Sequence, residues 1–344
     1  MKFVIALVVV FTAAYSTPAR KLSIDLKEED PFRIRYLPRE DQNGNIYYED
    51  LLKSYQNAPA TRASTSNVKI YLYTPINVND ASILPSDDST HLFETNFDSS
   101  LPIFFIIHGW NNNYKSAVCI NVRNAILSIT KANVFVVDWS DITNGLYAYS
   151  VINVNTVGEI VSDYIYSIMN TYGLPASQFR LVGHSLGAHV SGCVGSHIKS
   201  LSGSLIASIV ALDPAAPLFS INNLDNRVDP SDASYVHVIH TNAGFLGFTS
   251  ALGHSDYYPN GGSRQPGCGL DIVGICAHSR SHEYYAESIL SSRFVSSKCD
   301  SYSNYDKGDC SHNRQSLMGQ LYIDTSASGE YYLTTNNQAP YARG

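Results

Sequence analysis

The pentapeptide Gly183-His184-Ser185-Leu186-Gly187 lies between an apolar run, FRLV, and a helix-compatible stretch, AHVSGCVGSHI. A serine in a tight, strained turn between strand and helix presents its hydroxyl for attack. Glycines two residues to either side let strand and helix close up without a Cβ clash. Small residues also mark ordinary turns, so the pentapeptide gains meaning only with partners. A serine hydroxyl is a poor nucleophile at neutral pH. It needs a histidine to take its proton and a carboxylate to orient that histidine and stabilise its charged form. After a strand-turn-helix elbow the chain order is Ser, acid, His. The apolar run SIVALDPAAP ends at Asp213, and Pro214 stops further regular pairing, which makes Asp213 the candidate acid. A plain strand-end turn is the alternative for Asp213, and Asp229 and Asp232 sit in a turn-like segment, DPSD. Six histidines follow Asp213. His278, two residues after Cys276, is the candidate base on a loop, with His240 and His254 as competitors.

Acyl transfer also needs backbone N–H donors fixed in advance for the developing oxyanion. The elbow supplies one from the residue after the nucleophile, Leu186. The other is expected after the strand IFFII, where His108-Gly109-Trp110 turns at the same edge and Trp110 N–H is the candidate. Core packing by His108 and Trp110 is compatible with that role, because the donor is main chain.

These residues need a frame. The short runs VKIYLYT, IFFIIHGW, NVFVVDW, FRLVGHS, IASIVALDPA and SYVHVIHT alternate with longer amphipathic segments. That pattern predicts an α/β fold, a mainly parallel central sheet with helices on both faces. One helix is expected from near Ser116, with Val118, Val122, Ala125, Ile126 and Ile129 on one face. A second follows Asn155 and stops near Gly173 and Pro175.

Composition agrees with a large buried core: of 344 residues, 44% are hydrophobic and 15% charged. With 23 basic and 30 acidic residues the net charge is −7, which offers no footprint for nucleic acid or for polybasic docking to anionic membranes. Lys2, an apolar run and then small residues give residues 1–16 the layout of a secretory signal, with cleavage after Ser16 or Ala19. Residues 17–65 read as a propeptide with an exposed cut near Arg62, or as an ordered extension, and residues 66–344 as the main domain. Short separations among the six cysteines favour Cys268–Cys276 and Cys299–Cys310. Cys119 and Cys193 are left either as a third bridge or as two buried thiols.

From Val68 to the end the chain resembles the pancreatic lipase family of animal lipases, on SLPIFFIIHGW, VFVVDW, GHSLGAH, ALDPAAPLF, VDPSDASYVHVIHT, GHSDYYPNGG, CAHSRSHEYY and EYYLTTNNQAP. The resemblance implies an α/β-hydrolase fold, with nucleophile Ser185, acid Asp213, base His278 and main-chain oxyanion donors at Trp110 and Leu186. It also implies a calcium loop from Arg227 to Asp232, in which Asp229 and Asp232 match carboxylate ligands while the preceding acidic position holds Leu224. No cofactor is required. The lid between Cys268 and Cys276 has only seven residues, GLDIVGI, and the loop from Ala243 to Leu252 is short. Short versions resemble the phospholipases A1 of the family, including those of wasp venoms, and insect gut lipases. Leu270, Ile272, Val273 and Ile275 of the lid, with Phe245 and Phe248, are the candidate substrate contacts. A C-terminal lipid-associated β-sandwich is not expected, because the chain ends soon after Tyr341, and so colipase partnership is not expected either. The expected partner is a lipid surface, with phospholipid sn-1 esters ahead of galactolipids and glycerides. A non-catalytic lipid carrier or yolk-type storage protein is the alternative function, and a peptidase a weaker one.

Overall fold

From Tyr36 the chain makes a hairpin, β1 (Tyr36–Glu40) and β2 (Ile46–Asp50), and a short helix, α1 (Leu51–Gln56), capped by the Asp50 side chain. Then come β3 (Lys69–Tyr73), β4 (Ser82–Pro85), β5 (Ile103–Ile107), α2 (Ala117–Ile129), β6 (Asn133–Asp138), α3 (Ser140–Thr143) and α4 (Tyr147–Tyr172). The elbow joins β7 (Phe179–His184) to α5 (Leu186–Ser202), and β8 (Ser208–Leu212), β9 (Val236–Ile239) and β10 (Ser255–Pro259) follow. Helix α6 (Ile275–Leu290), β11 (Val295–Lys298), α7 (Tyr302–Asp306), β12 (Gln315–Leu317) and β13 (Gly329–Leu333) complete the chain. The structure, a computed structural model, describes residues 35–40, 45–59 and 61–344. The signal-sequence reading of residues 1–16 lies outside them.

Beside the hairpin, eleven strands form one sheet in the order β12-β11-β13-β10-β9-β8-β7-β5-β6-β3-β4. From β6 through β13 every neighbouring pair is parallel, while β3, β4, β11 and β12 are antiparallel edges. Strands β5, β6 and β8 are buried at every position, as their unbroken apolar runs demand of central strands covered on both faces. This is the α/β-hydrolase architecture, and it brings the C-terminal ends of β5, β7, β8 and β9 to one edge, each followed by a loop that carries chemistry.

Two apolar layers flank the sheet. Helices α4 and α5 pack Val161, Ile165, Val190 and Val194 on one face, while α2 and α6 pack Val122, Ile126, Tyr285 and Ile289 on the other. One sequence expectation changes here and one open alternative closes. Helix α4 begins at Tyr147, before Asn155, because Tyr147, Ala148, Val151 and Val154 extend the buried stripe by two turns; it ends as expected at Gly173, which takes a left-handed φ of 64°. No third bridge forms: Cys119 lies in α2 and Cys193 in α5, on opposite faces of the sheet, and both are buried free thiols. Cys268–Cys276 and Cys299–Cys310 are bonded. In the described part of the segment before residue 66, Leu37 and Leu51 lie inside the main core. Arg62 donates to Ile152 O and Ala63 N to Asn153 Oδ1, both on α4. No helix among the described residues is long and apolar enough to cross a membrane.

Candidate active site

Ser185 has φ 57° and ψ −123°, a conformation that L-residues rarely adopt, and its N–H donates to Leu212 O of β8. The flanking glycines are required sterically: a Cβ on Gly183 would lie 2.2 Å from Gly187 O, and one on Gly187 would lie 2.1 Å from Ile107 O. Strand β7, helix α5 and the end of β5 therefore meet at van der Waals distance around the serine. Gly109 belongs to the same contact, since a Cβ there would lie 2.6 Å from Ser185 Cβ and 3.2 Å from its Oγ. The loop after β5 thus runs directly beside Ser185, next to the main chain of Trp110.

That loop is held from several sides. Trp139 N donates to His108 Nε2 and Trp139 Nε1 to His108 O, while Asn111 N donates to Thr143 O. His108 Nε2 also lies 3.3 Å from Asp138 Oδ1. Burial alone would raise the Asp138 carboxyl, but the His108 ring and the Ser140 amide outweigh it and hold the group down to about 2. The Trp110 indole donates to Gly145 O at 3.1 Å and meets the Tyr147 ring edge-on at 5.4 Å.

Asp213 follows β8 and is fully buried, with φ 44°. Its Oδ1 accepts from Thr241 N at 2.7 Å and Asn242 N at 2.9 Å, which belong to the loop after β9. Its Oδ2 is 2.5 Å from His278 Nδ1. A carboxylate held by two main-chain donors and aimed at one imidazole nitrogen fixes the ring's tautomer and orientation, as a serine hydrolase needs. His278 does not lie on an irregular loop: it occupies the first turn of α6. That turn is capped from the lid, where the Asp271 carboxylate accepts from Cys276 N at 3.3 Å and Ala277 N at 2.7 Å. Sequence reading missed Asp271 because the capping acid stands four residues before the helix, inside the disulfide loop.

His184 of the elbow touches His278 directly. Its ring centroid is 4.6 Å from that of His278 and its Nε2 is 3.2 Å from His278 O, with His282 edge-on at 5.3 Å. Burial, then the adjacent His278 and His282 rings, push His184 well below the usual histidine value, and burial puts His282 at about 4. Both are therefore neutral near pH 7 and add no positive charge beside His278.

The competing histidines are structural. His240 is fully buried between Asp256 Oδ1 and Phe248 O, each at 2.9 Å, and His254 Nδ1 accepts from Val236 N. Phe248 is a core residue and not a substrate contact: it is buried and edge-on to His189 at 5.8 Å, because Phe248 N binds Pro214 O and draws the ring inward. Phe245 is half-buried against the lid base, where a Cβ on Gly274 would lie 2.4 Å from its ring. Leu270, Ile272 and Ile275 are exposed and Val273 is half-buried; of these, Leu270 and Ile272 line a cleft of about 840 Å³ together with Phe245 and Arg264.

A sequence model of the Lipase family matches residues 42–341. The chain belongs to the lipase family. Pancreatic triacylglycerol lipase of Myocastor coypus is 35% identical to this lipase-family chain over 312 residues, 81% of the chain and 67% of the relative. Inactive pancreatic lipase-related protein 1 of Homo sapiens is 34% identical over 265 residues, 70% of the chain and 56% of the relative. The chain thus spans between about half and two thirds of the length of these relatives. Among solved structures, MGS-M1, an alpha/beta hydrolase enzyme from a deep-sea metagenome library, overlaps 53% of the chain and 73% of its own at 13% identity, with a TM-score of 0.32.

Of the acidic positions of the calcium loop, this lipase-family chain keeps Asp229 and Asp232. Asp232 Oδ2 accepts from Asp229 N and Asp229 Oδ1 from Ser231 N, closing a turn, while Leu224 at the third acidic position is apolar and exposed. Two carboxylates supply at most four of the six to eight oxygens a calcium ion takes, so main-chain carbonyls or water would have to complete the shell. The guanidinium of Arg227, bonded to the carbonyls of Ile221 and Val228, stands beside them.

Proposed function

We propose that this chain is a secreted carboxylic ester hydrolase acting on lipid esters, with Ser185 as nucleophile, His278 as general base and acid, and Asp213 as the orienting carboxylate. The observation that carries the reading is the Asp213–His278 contact at the foot of a strained Ser185 elbow. Ser185 Oγ attacks the ester carbonyl as His278 takes its proton. The N–H groups of Trp110 and Leu186 receive the oxyanion, and His278 returns the proton to the leaving alcohol. Water, activated by the same imidazole, then releases the fatty acid from the acyl-serine. None of these steps uses a metal.

Phospholipid sn-1 esters are the leading substrates, ahead of galactolipids and glycerides, because a lid of seven residues leaves room above the serine for a polar headgroup. The exposed Leu270, Ile272 and Ile275 offer apolar contact with a membrane, micelle or droplet, without nucleic acid or colipase as partner. Two disulfides suit an oxidising extracellular compartment. A non-catalytic lipid carrier is the competing reading, and one relative is named as inactive. The presence of Ser185 in a strained elbow and the bonding of His278 to Asp213 favour catalysis. Incubation with phosphatidylcholine, a galactolipid and triolein, followed by product analysis, tests this: release of the sn-1 fatty acid from phosphatidylcholine at the highest rate supports the reading, and no release from any of the three refutes it.

A further inference from the structure

The hairpin before the main domain places one face of each strand against the oxyanion loop. Leu37 and Arg39 share a face of β1, and their register partners Glu49 and Tyr47 share a face of β2. Leu37 is anchored in the main core, as is Leu51 immediately after the hairpin. Anchored in this way, the Arg39 guanidinium lies over the Trp110 ring at 4.6 Å and over the Tyr47 ring at 5.5 Å. It also lies 3.4 Å from Glu49 Oε2, which in turn accepts from Tyr147 N, at the first residue of α4, at 3.4 Å. Tyr147 is the residue whose ring meets Trp110 edge-on. Arg39, Glu49 and Tyr147 therefore form a bracket around the Trp110 indole, whose third restraint is its own bond to Gly145 O.

Two features favour a role beyond attachment. Glu49 is buried, and its Oε1 has no hydrogen-bond partner, a cost that an apolar residue at this anchor would avoid. In addition, a planar guanidinium stacked on an indole fixes the plane of that ring, which a simple hydrophobic contact does less well.

We propose that the β1–β2 hairpin is a positioning element of the catalytic site: Arg39 and Glu49 lock the Trp110 side chain, and through it the main-chain N–H that receives the oxyanion. This rests on the ester-hydrolase reading above. Arg39 touches no reacting atom and acts only through Trp110. The hairpin then serves catalysis in place, and its removal by cleavage near Arg62 lowers activity instead of releasing it.

The test uses the full chain and a soluble ester, p-nitrophenyl butyrate, with a boronic acid as a mimic of the tetrahedral oxyanion. Losing an oxyanion donor outright costs about a hundredfold to a thousandfold in kcat, so a displaced donor in Arg39→Ala should cost on the order of tenfold. KM should stay within about twofold and boronate affinity should fall in parallel with kcat. Arg39→Lys, which keeps the charge without the plane, should fall between, and Glu49→Gln should behave like it. These two milder variants decide the matter if Arg39→Ala does not fold. Unchanged kcat and boronate affinity with only a lowered Tm would make the hairpin purely structural and overturn the proposal, while a wild type that cleaves no ester overturns the underlying reading and the proposal with it.

Discussion

Gly247 lies against the carboxylate of Asp213 so closely that a Cβ added to it would stand 2.5 Å from Oδ1 and 2.8 Å from Oδ2. The short loop after β9 therefore does more than uncover the site: it folds back with Leu246 O accepting from Ala216 N and Phe248 N donating to Pro214 O, walling in the acid that orients His278. Gly247→Ala should displace the carboxylate from its bonds to Thr241 N, Asn242 N and His278, and lower kcat by about a hundredfold or more. Steady-state kinetics on a soluble ester, with circular dichroism to confirm folding, checks this; wild-type turnover would mean that the loop yields and Asp213 does not depend on it.

The capping of α6 by the lid makes a second expectation. Asp271→Ala leaves Cys276 N and Ala277 N without their acceptor, at a cost of about 1 kcal/mol to the helix, and frays the turn that carries His278. Activity should fall several-fold while Asp271→Asn, which keeps an acceptor, stays close to wild type. Equal losses in both variants would point to the charge of Asp271 and not to its cap.

Asp232 supplies a pH dependence. Its burial, with the charge of Asp229 added, raises its carboxyl to about 8, well above the value for an unfolded chain. The folded protein then holds a proton there that the unfolded chain releases between about pH 4 and pH 8, so this group makes stability fall as pH rises through that window. Asp232→Asn should flatten the decline of Tm between pH 5 and pH 8. A bound calcium would keep both acids ionised and erase the slope. With the donor set described above, dialysis against a chelator should leave Tm and activity where they were, and a chelator-induced drop in Tm would establish a metal at this loop.

The lid predicts the kinetics at an interface. Closure could bury at most Leu270, Ile272, Val273 and Ile275, worth about 1.5 to 3 kcal/mol each before ordering costs, and three of them are exposed. An interface shifts a lid only by its differential affinity for open and closed states. The rate should rise smoothly through the solubility limit of a short-chain substrate, and phosphatidylcholine should be cleaved at sn-1 faster than triolein. A sharp jump at that limit, with triolein preferred, would show that seven residues suffice for an interfacial switch.

The site was legible in the sequence where local sterics and periodicity decide. The elbow glycines, the acid at the end of β8 and the apolar strands β5 to β9 all follow from patterns within ten residues. What escaped depends on contacts across the fold. Phe248 reads in sequence as either a substrate contact or a core residue, and the hydrogen bond from its N–H to Pro214 O, made across the fold, turns it into the core. Cys119 and Cys193 read as candidate partners because sequence does not reveal which face of the sheet each helix covers. His240 has the partner of a catalytic histidine, Asp256, but lies sealed at the end of β9, two strands away from β7 and the serine. His278 owes its helical setting to an acid in the lid, a relation that no single-helix capping pattern contains.

If Ser185 is the nucleophile of an ester hydrolase, it should react covalently with a mechanism-based phosphonylating reagent. A fluorophosphonate, which reacts only with an activated serine, should modify the protein once, on the peptide containing Ser185. Ser185→Ala should take no label and lose turnover by up to about a millionfold, and Asp213→Asn should lose roughly ten-thousandfold. Label on another residue, or near wild-type hydrolysis by folded Ser185→Ala, would contradict the account.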